Sequence, residues 1–508
     1  MTIAIRKILA AFSIVLLLAS ALPPDAEAAP QKKRRSRKST RSAAPAFPVA
    51  QGRTLEERLR SLGNSSIATS ADSSLQVVEL ESGRVVMDRN ASTPVAPASN
   101  MKLFTTGAAL DLLSDDFEFV TTVSLRGEVD AIGNLNGDVK ITGRGDPTIG
   151  GRFHDGRATA VLEEWANALK RAGVKAIAGD VILEHGYFDA EHVHPTWPTD
   201  QLTNWYEAPI ASLSMQEGCV MIRVLPSRSG KLAVVQMEPP NRFLHLENSC
   251  RTGGGRGVFV TRKPGTNTIV VSGSIPPRSG AVEVFVSVMH PVHYFGNVVH
   301  ETFLRSGIRL FGGVNLVGED PRSDWRMIAE HRTPLAIVNF VINKKSQNHY
   351  AEQLLKTIGA DVAKEGSWQK GSEAITNWVT TKVGVSRSEF AQVDGSGMSR
   401  YNRASAHAFV QLLRYMWNSS HRREFVSSMP FSGEDDSRLR RRLNTPPYAR
   451  QVYAKTGYIS GVIGLSGYVH AQSGKIYAFS FLFNRYRTGV GTVYRLQDEM
   501  LKEIIKNG

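Results

Sequence analysis

Ser99 stands three residues before Lys102, which opens Leu103-Phe104-Thr105-Thr106-Gly107-Ala108-Ala109-Leu110, a small, apolar run of the kind buried inside a domain. An ammonium buried without a partner is costly, so a lysine at this place calls for a reason. Positions i and i+3 share one face of a helix, which puts hydroxyl and amine together at a helix N-terminus. A serine hydroxyl is a poor nucleophile until a base sits beside it. A lysine in a partly desolvated site loses proton affinity and can be that base. Taken alone, Lys102 also fits a side chain that snorkels to solvent, and Ser-x-x-Lys recurs by chance in long chains.

Two further clusters narrow the reading. Ser346-Gln347-Asn348 lies at the mouth of a predicted helix, and Lys455-Thr456-Gly457 on a predicted strand edge just before the last hairpin. Ser-x-x-Lys, Ser-x-Asn and Lys-Thr-Gly in this order form the signature of penicillin-binding proteins and class A β-lactamases. From about residue 55 to its end the chain resembles the D-alanyl-D-alanine carboxypeptidase/endopeptidase family, the S13 peptidases among the low-molecular-mass penicillin-binding proteins. The resemblance is carried by Gly145-Asp146-Pro147-Thr148, Trp205-Tyr206-Glu207-Ala208-Pro209-Ile210, Asn348-His349-Tyr350-Ala351-Glu352-Gln353-Leu354-Leu355 and Asp394-Gly395-Ser396-Gly397-Met398-Ser399-Arg400. The gap of 247 positions from Ser99 to Ser346 matches the long insertion typical of that family.

The resemblance implies a role at each matching position. Ser99 is the expected acylated nucleophile and Lys102 its base. Ser346 is expected to relay a proton to the leaving amine and Asn348 to bind the substrate amide. Lys455, with Thr456 and Gly457, is expected to hold the terminal carboxylate, and the N–H groups of Ser99 and Tyr458 to form the oxyanion hole. Gln347 stands where Asp is common in relatives, and Tyr458 where a small hydroxyl residue is usual. Relatives also use an acid of the inserted domain to bind a stem side chain. Glu184 is the matching candidate, and it equally fits a solvated loop acid. No cofactor is implied. His290 and His293 have metal-like spacing but lack a third ligand nearby, so no metal site is expected.

The implied activity is that of a serine-type D-Ala-D-Ala carboxypeptidase acting on peptidoglycan stems and cross-links, inhibited by β-lactams. A β-lactamase on the same fold needs a dedicated deacylating carboxylate, and no Glu-x-x-Leu-Asn segment is present. A catalytically silent cell-wall binding protein would have no use for the full set of Ser99, Lys102, Ser346, Asn348 and Lys455.

These groups need a scaffold. Leu75–Leu80 and Arg84–Met87 read as a hairpin around Gly83. Gly464–Val469 and Ile476–Phe483 read as a second, around Ser473-Gly474. Thr333–Ile342 and His349–Ile358 have helical periodicity, and a last helix aligns Val493, Leu496, Met500, Leu501, Ile504 and Ile505 on one face. The expected fold is α/β (α+β): a β-lactamase/DD-peptidase-like domain made of residues 53–116 and 325–508, with both ends in one sheet. Residues 117–324 form a β-rich insertion with strands at Val120–Leu125, Asp138–Thr142, Gly179–Leu183, Thr268–Gly273 and Val282–Val288, and a helix at Ala158–Ala172.

The 508 residues carry a formal net charge of +14. Half of it, +7, lies in residues 1–41, which hold nine Lys/Arg and two acids. Arg6 and Lys7, the apolar run Ile8–Leu22 and Ala26-Glu27-Ala28 read as a cleaved export signal over 1–28; the run is short for an uncleaved span. The expected destination is the periplasm, with no transmembrane span after cleavage. Residues 29–52 read as a disordered arm whose Lys32–Arg41 segment has seven basic residues in ten. It fits either a solvated tether or a contact with an anionic envelope polymer, while export argues against nucleic acid. Two cysteines, Cys219 and Cys250, in an exported chain suggest a disulfide.

Overall fold

Alternation and turn chemistry place both ends of the chain in one antiparallel sheet. In the computed structural model, which describes residues 47–114 and 116–508, the strands run in the order Val452–Ile459, Val462–His470, Ile476–Asn484, Asp72–Glu79, Val85–Arg89. The N-terminal hairpin joins the C-terminal one through eight paired positions, from Asp72 opposite Asn484 to Glu79 opposite Tyr477. Val462–His470 and Ile476–Asn484 bury nearly every residue, as strands covered on both faces must. The last helix, Val490–Asn507, turns Val493, Leu496, Met500, Leu501, Ile504 and Ile505 inward. Helix Ala406–Asn418 packs on the sheet, and beyond it lie Lys102–Leu112, Leu335–Lys344, Asn348–Ala363 and Trp368–Trp378. Phe104, Phe409, Leu354, Trp378 and Tyr468 fill the core between them.

The insertion has its own core. A seven-stranded mixed sheet includes Glu118–Val129, Asn134–Thr142, Val181–Glu184 and Val314–Val317. Helices Ala160–Arg171 and Pro291–Arg305 bring Trp165 and Phe295 into it. Strand Arg326–Pro334 pairs with Glu118–Val129, so this sheet extends beyond residue 324 to Pro334, directly before helix Leu335–Lys344. Two smaller sheets hold Cys219–Leu225 with its neighbours and Thr268–Ile275 with its neighbours.

The expected disulfide between Cys219 and Cys250 is not formed. Both cysteines are free and buried. Cys219 opens strand Cys219–Leu225, whose far end, Leu225, pairs with Val234. Cys250 lies beyond that end, its carbonyl accepting from Ala233 N–H at 2.8 Å. Six residues of strand, about 20 Å, separate the two ends, against the ~7 Å between Cα atoms that a disulfide spans.

The expected export signal (1–28) and basic segment (32–41) lie outside the described residues. Among the described residues, no helix is long and apolar enough to cross a membrane.

Candidate active site

The nucleophile candidate sits in a 3-10 turn, Ala98–Met101, that runs into helix Lys102–Leu112. Ala98 takes a left-handed φ of 49°. The backbone of Gly397 lies so close that a Cβ there would stand 1.9 Å from the Ala98 carbonyl oxygen. On the opposite side a Cβ on Gly457 would stand 2.7 Å from the Pro97 oxygen. Only glycine permits either approach, so the turn is clamped between the Gly395–Gly397 segment and the Lys-Thr-Gly strand. Asn100 fixes it further by donating to Ser466 Oγ at 2.7 Å.

Lys102 Nζ is 3.0 Å from Ser99 Oγ, 2.7 Å from Asn348 Oδ1 and 2.7 Å from the Ser396 carbonyl oxygen. Nζ donates to all three, and loss of the proton aimed at Ser99 would leave a lone pair facing that hydroxyl while the contacts to Asn348 and Ser396 are kept. Burial pulls the Lys102 pKa down to about 7, against the fields of Glu352 and Asp394, which pull it up. Glu352 is itself pushed up, first by burial and then by Asp394. Trp368 Nε1–H and the N–H groups of Gly395 and Ser396 each donate to its carboxylate at 2.8 Å. Asp394 accepts from Trp197 Nε1–H at 3.0 Å and from Asn402 Nδ2–H at 2.7 Å.

Ser346 precedes helix Asn348–Ala363 with a left-handed φ of 58°, a strained conformation for a non-glycine residue. That conformation turns its hydroxyl to Lys455, whose Nζ donates to Ser346 Oγ at 2.7 Å and to the Thr456 carbonyl at 3.1 Å. Lys455 lies on the edge strand Val452–Ile459 and is 1 % exposed. Burial, with help from Lys102 and Arg438, drives its pKa well below the ordinary lysine value. Tyr458, on the same strand, leaves its side chain 53 % exposed.

Five of the expected groups thus gather around two lysines, Ser99 and Asn348 on Lys102 and Ser346 on Lys455. Glu184 is engaged elsewhere. It pairs with Lys140 at 3.2 Å and accepts from Thr142 Oγ1 at 2.8 Å inside the seven-stranded sheet. Contacts not foreseen come from the insertion: Asn348 Nδ2 donates to the Tyr206 carbonyl at 2.8 Å, and Gln347 Nε2 donates to Glu217. Glu207, next to Tyr206, is fully buried, and burial together with Asp200 raises its pKa to about 8. The resemblance had marked the stretches holding Tyr206, Glu352 and Asp394. No local pattern marked Glu217, because its partner is 130 residues away.

The sequence pattern of the D-Ala-D-Ala carboxypeptidase 3 (S13) family matches residues 58–500. The chain is 31% identical over 463 residues to the D-alanyl-D-alanine carboxypeptidase of Actinomadura sp. (strain R39), covering 87% of this chain and 84% of that protein. It is 26% identical over 420 residues to the D-alanyl-D-alanine carboxypeptidase DacB of Haemophilus influenzae, covering 81% and 85%. The crystal structure of penicillin binding protein 4 (dacB) from Haemophilus influenzae superposes with a TM-score of 0.76 at 22% identity, over 88% of this chain and 99% of that one. The same protein complexed with a β-lactam superposes with a TM-score of 0.72.

Proposed function

This chain belongs to the D-Ala-D-Ala carboxypeptidase (S13) family of serine peptidases, and on that premise we propose that it hydrolyses D-Ala-D-Ala termini of peptidoglycan stems through an acyl-enzyme on Ser99. Neutral Lys102 takes the proton of Ser99 as its Oγ attacks the carbonyl carbon of the penultimate D-Ala. The N–H groups of Ser99 and Tyr458 receive the developing oxyanion. On collapse the C–N bond breaks. Ser346 relays to the leaving amine the proton that Lys102 took from Ser99, which returns Lys102 to its neutral form. Lys455, with Thr456 and Gly457, holds the terminal carboxylate. Asn348 orients the substrate amide, exchanging its contact with Tyr206 for it. Water then cleaves the Ser99 ester, releasing the shortened stem and returning the proton to the hydroxyl.

The same chemistry applies to a D-Ala-diamino acid cross-link, so we include endopeptidase action. A β-lactam acylates Ser99 likewise, with its amine left tethered to the adduct. The export-signal pattern supports a periplasmic site of action, and the Lys32–Arg41 segment supports a salt-sensitive contact with an anionic envelope polymer.

The observation that supports this reading best is Lys102 Nζ at 3.0 Å from Ser99 Oγ with both of its other hydrogen-bond positions filled. Fluorescent penicillin tests it. The wild type is expected to give a long-lived adduct and Ser99→Ala none. Labelling that survives in Ser99→Ala refutes the assignment, and rapid turnover of the adduct would make the protein a β-lactamase.

A further inference from the structure

Gln347, the middle residue of the Ser-x-Asn segment, uses its two amide ends differently. Its carbonyl oxygen accepts from His349 N–H at 3.2 Å, capping helix Asn348–Ala363. Its amide nitrogen donates to the Glu217 carboxylate of the insertion. The other Glu217 oxygen accepts from Arg152 Nε–H at 2.5 Å, and the Arg152 guanidinium lies over the ring of Tyr350, 5.9 Å from its centroid. Gln347 is buried, Glu217 is half-buried, and Arg152 closes the pair from the solvent side.

Glu217 is held there at a conformational cost. Gln216, Glu217 and Gly218 have successive φ values of 51°, 59° and 69°, left-handed throughout and strained for the first two. The turn is anchored at both ends. Gln216 N–H donates to the Ile149 carbonyl and Gln216 Oε1 accepts from Gly151 N–H, both at 2.8 Å. Val288 N–H donates to the Gly218 carbonyl at 2.9 Å. Strain maintained this firmly directs one carboxylate onto one amide.

The chemistry of the pair is specific. A carboxylate at position 347 could still cap the helix with one oxygen, but its other oxygen would face the Glu217 carboxylate. Glutamine supplies an acceptor on one side and a donor on the other, so Gln347 and Glu217 are matched.

We propose that Glu217, fixed by Arg152, is a positioning residue of the insertion that acts through Gln347 to hold Ser346 and Asn348 against Lys455 and Lys102. It touches no substrate. Its role is to keep the strained Ser346 hydroxyl on Lys455 and the Asn348 oxygen on Lys102 during proton transfer. The proposal rests on the peptidase reading. Wild-type penicillin labelling and its loss in Ser99→Ala test that reading separately.

Three variants of the full chain test the proposal: Glu217→Ala, Gln347→Glu, and the double variant Gln347→Glu/Glu217→Gln, which reverses the direction of the hydrogen bond. Release of D-Ala is followed as kcat and KM, normalised to sites titrated by prolonged penicillin labelling, so that misfolded protein does not count. Glu217→Ala and Gln347→Glu are each expected to lower kcat about tenfold with KM nearly unchanged, the size of a lost hydrogen bond to a charged group. The double variant is expected to recover kcat to within about threefold of wild type, as a directly coupled pair should. Normal kcat per titrated site in Glu217→Ala overturns the proposal. So does a double variant no better than Gln347→Glu alone, since a merely structural Glu217 gives no reason for recovery.

Discussion

Lys102 and Lys455 lie within each other's electrostatic reach, are both buried, and are both depressed in proton affinity, yet their surroundings differ. Lys102 has Glu352 and Asp394 within its electrostatic reach, and their fields offset part of the burial cost and leave it near pH 7. The charged groups that act on Lys455 are Lys102 and Arg438, both cationic, so they reinforce burial instead of opposing it. Lys102 is therefore supplied with counter-charge by the protein itself, which suits the proposed base, since that group must gain and lose a proton in each cycle. Among the described residues no carboxylate pairs with Lys455, and on the proposed mechanism the terminal carboxylate of a substrate would restore its charged form. Two identical side chains are thus specialised by the acids placed, or not placed, beside them.

The largest expected effect separates the two roles directly. Lys102→Ala removes the proposed base, and acylation by both peptide and penicillin is expected to fall by roughly 10²–10⁴-fold. A smaller loss, followed by stopped-flow labelling, would mean another group takes the Ser99 proton.

Lys455→Ala comes next. A charge-assisted hydrogen bond contributes about 1.5–3 kcal/mol, so hydrolysis of a peptide ending in D-Ala-D-Ala is expected to slow roughly ten- to over a hundredfold. The C-terminally amidated peptide, with no charge to lose, is expected to slow far less. Equal losses on the two substrates would mean that Lys455 serves the Ser346 relay and not the carboxylate.

The pH profile sharpens the contrast. On the proposed mechanism the base form of Lys102 is the active one, so acylation is expected to rise with pH through about 7. Glu352 raises the Lys102 pKa, so Glu352→Gln is expected to move this acidic limb to lower pH. The position of the limb is the readout, so partial loss of folded protein does not affect it. A limb that stays in place would show that Glu352 does not set the proton affinity of Lys102.

The smallest effect concerns burial without counter-charge in a carboxylic acid. Glu207 is raised from 4.5 to about 8, mainly by desolvation. A folded pKa above the unfolded one means the folded state binds the extra proton. That contribution to stability is fully present below the unfolded pKa and is lost as pH rises through the folded one. Glu207→Gln keeps the neutral shape at every pH. Its unfolding temperature is therefore expected to gain on the wild type by about a few degrees between pH 5 and pH 8. A pH-independent difference would place the Glu207 titration outside this window.

Much of the scaffold was legible because it is written in short periods. Strict strand patterns around Gly83 and Ser473-Gly474 gave both hairpins, and a 3.6-residue stripe gave the last helix. Ser99 and Lys102 were readable as a pair because three residues of helix bring them together. The Ser346 and Lys455 clusters could be named from the motif, but their contact spans 109 residues, and no local periodicity encodes it. The cysteines show the same limit from the other side. An even count suggested a bridge, but Cys219 opens strand Cys219–Leu225 while the Cys250 carbonyl accepts from Ala233, beside the partner of that strand's far end.

By itself, then, the sequence determined which groups can do chemistry, because nucleophile, base and donor are properties of side-chain type and near spacing. It determined the main elements, because local backbone preference and apolar period act within a few residues. Only the tertiary structure decided that Lys102 lies in the fields of two carboxylates while Lys455 lies in those of two cations, that Glu184 is occupied by Lys140, and that Glu217 reaches Gln347. Each of these depends on burial and on partners tens to hundreds of residues away. The cost of removing a charge from water, and the field that offsets it, exist only once distant segments have closed around the side chain.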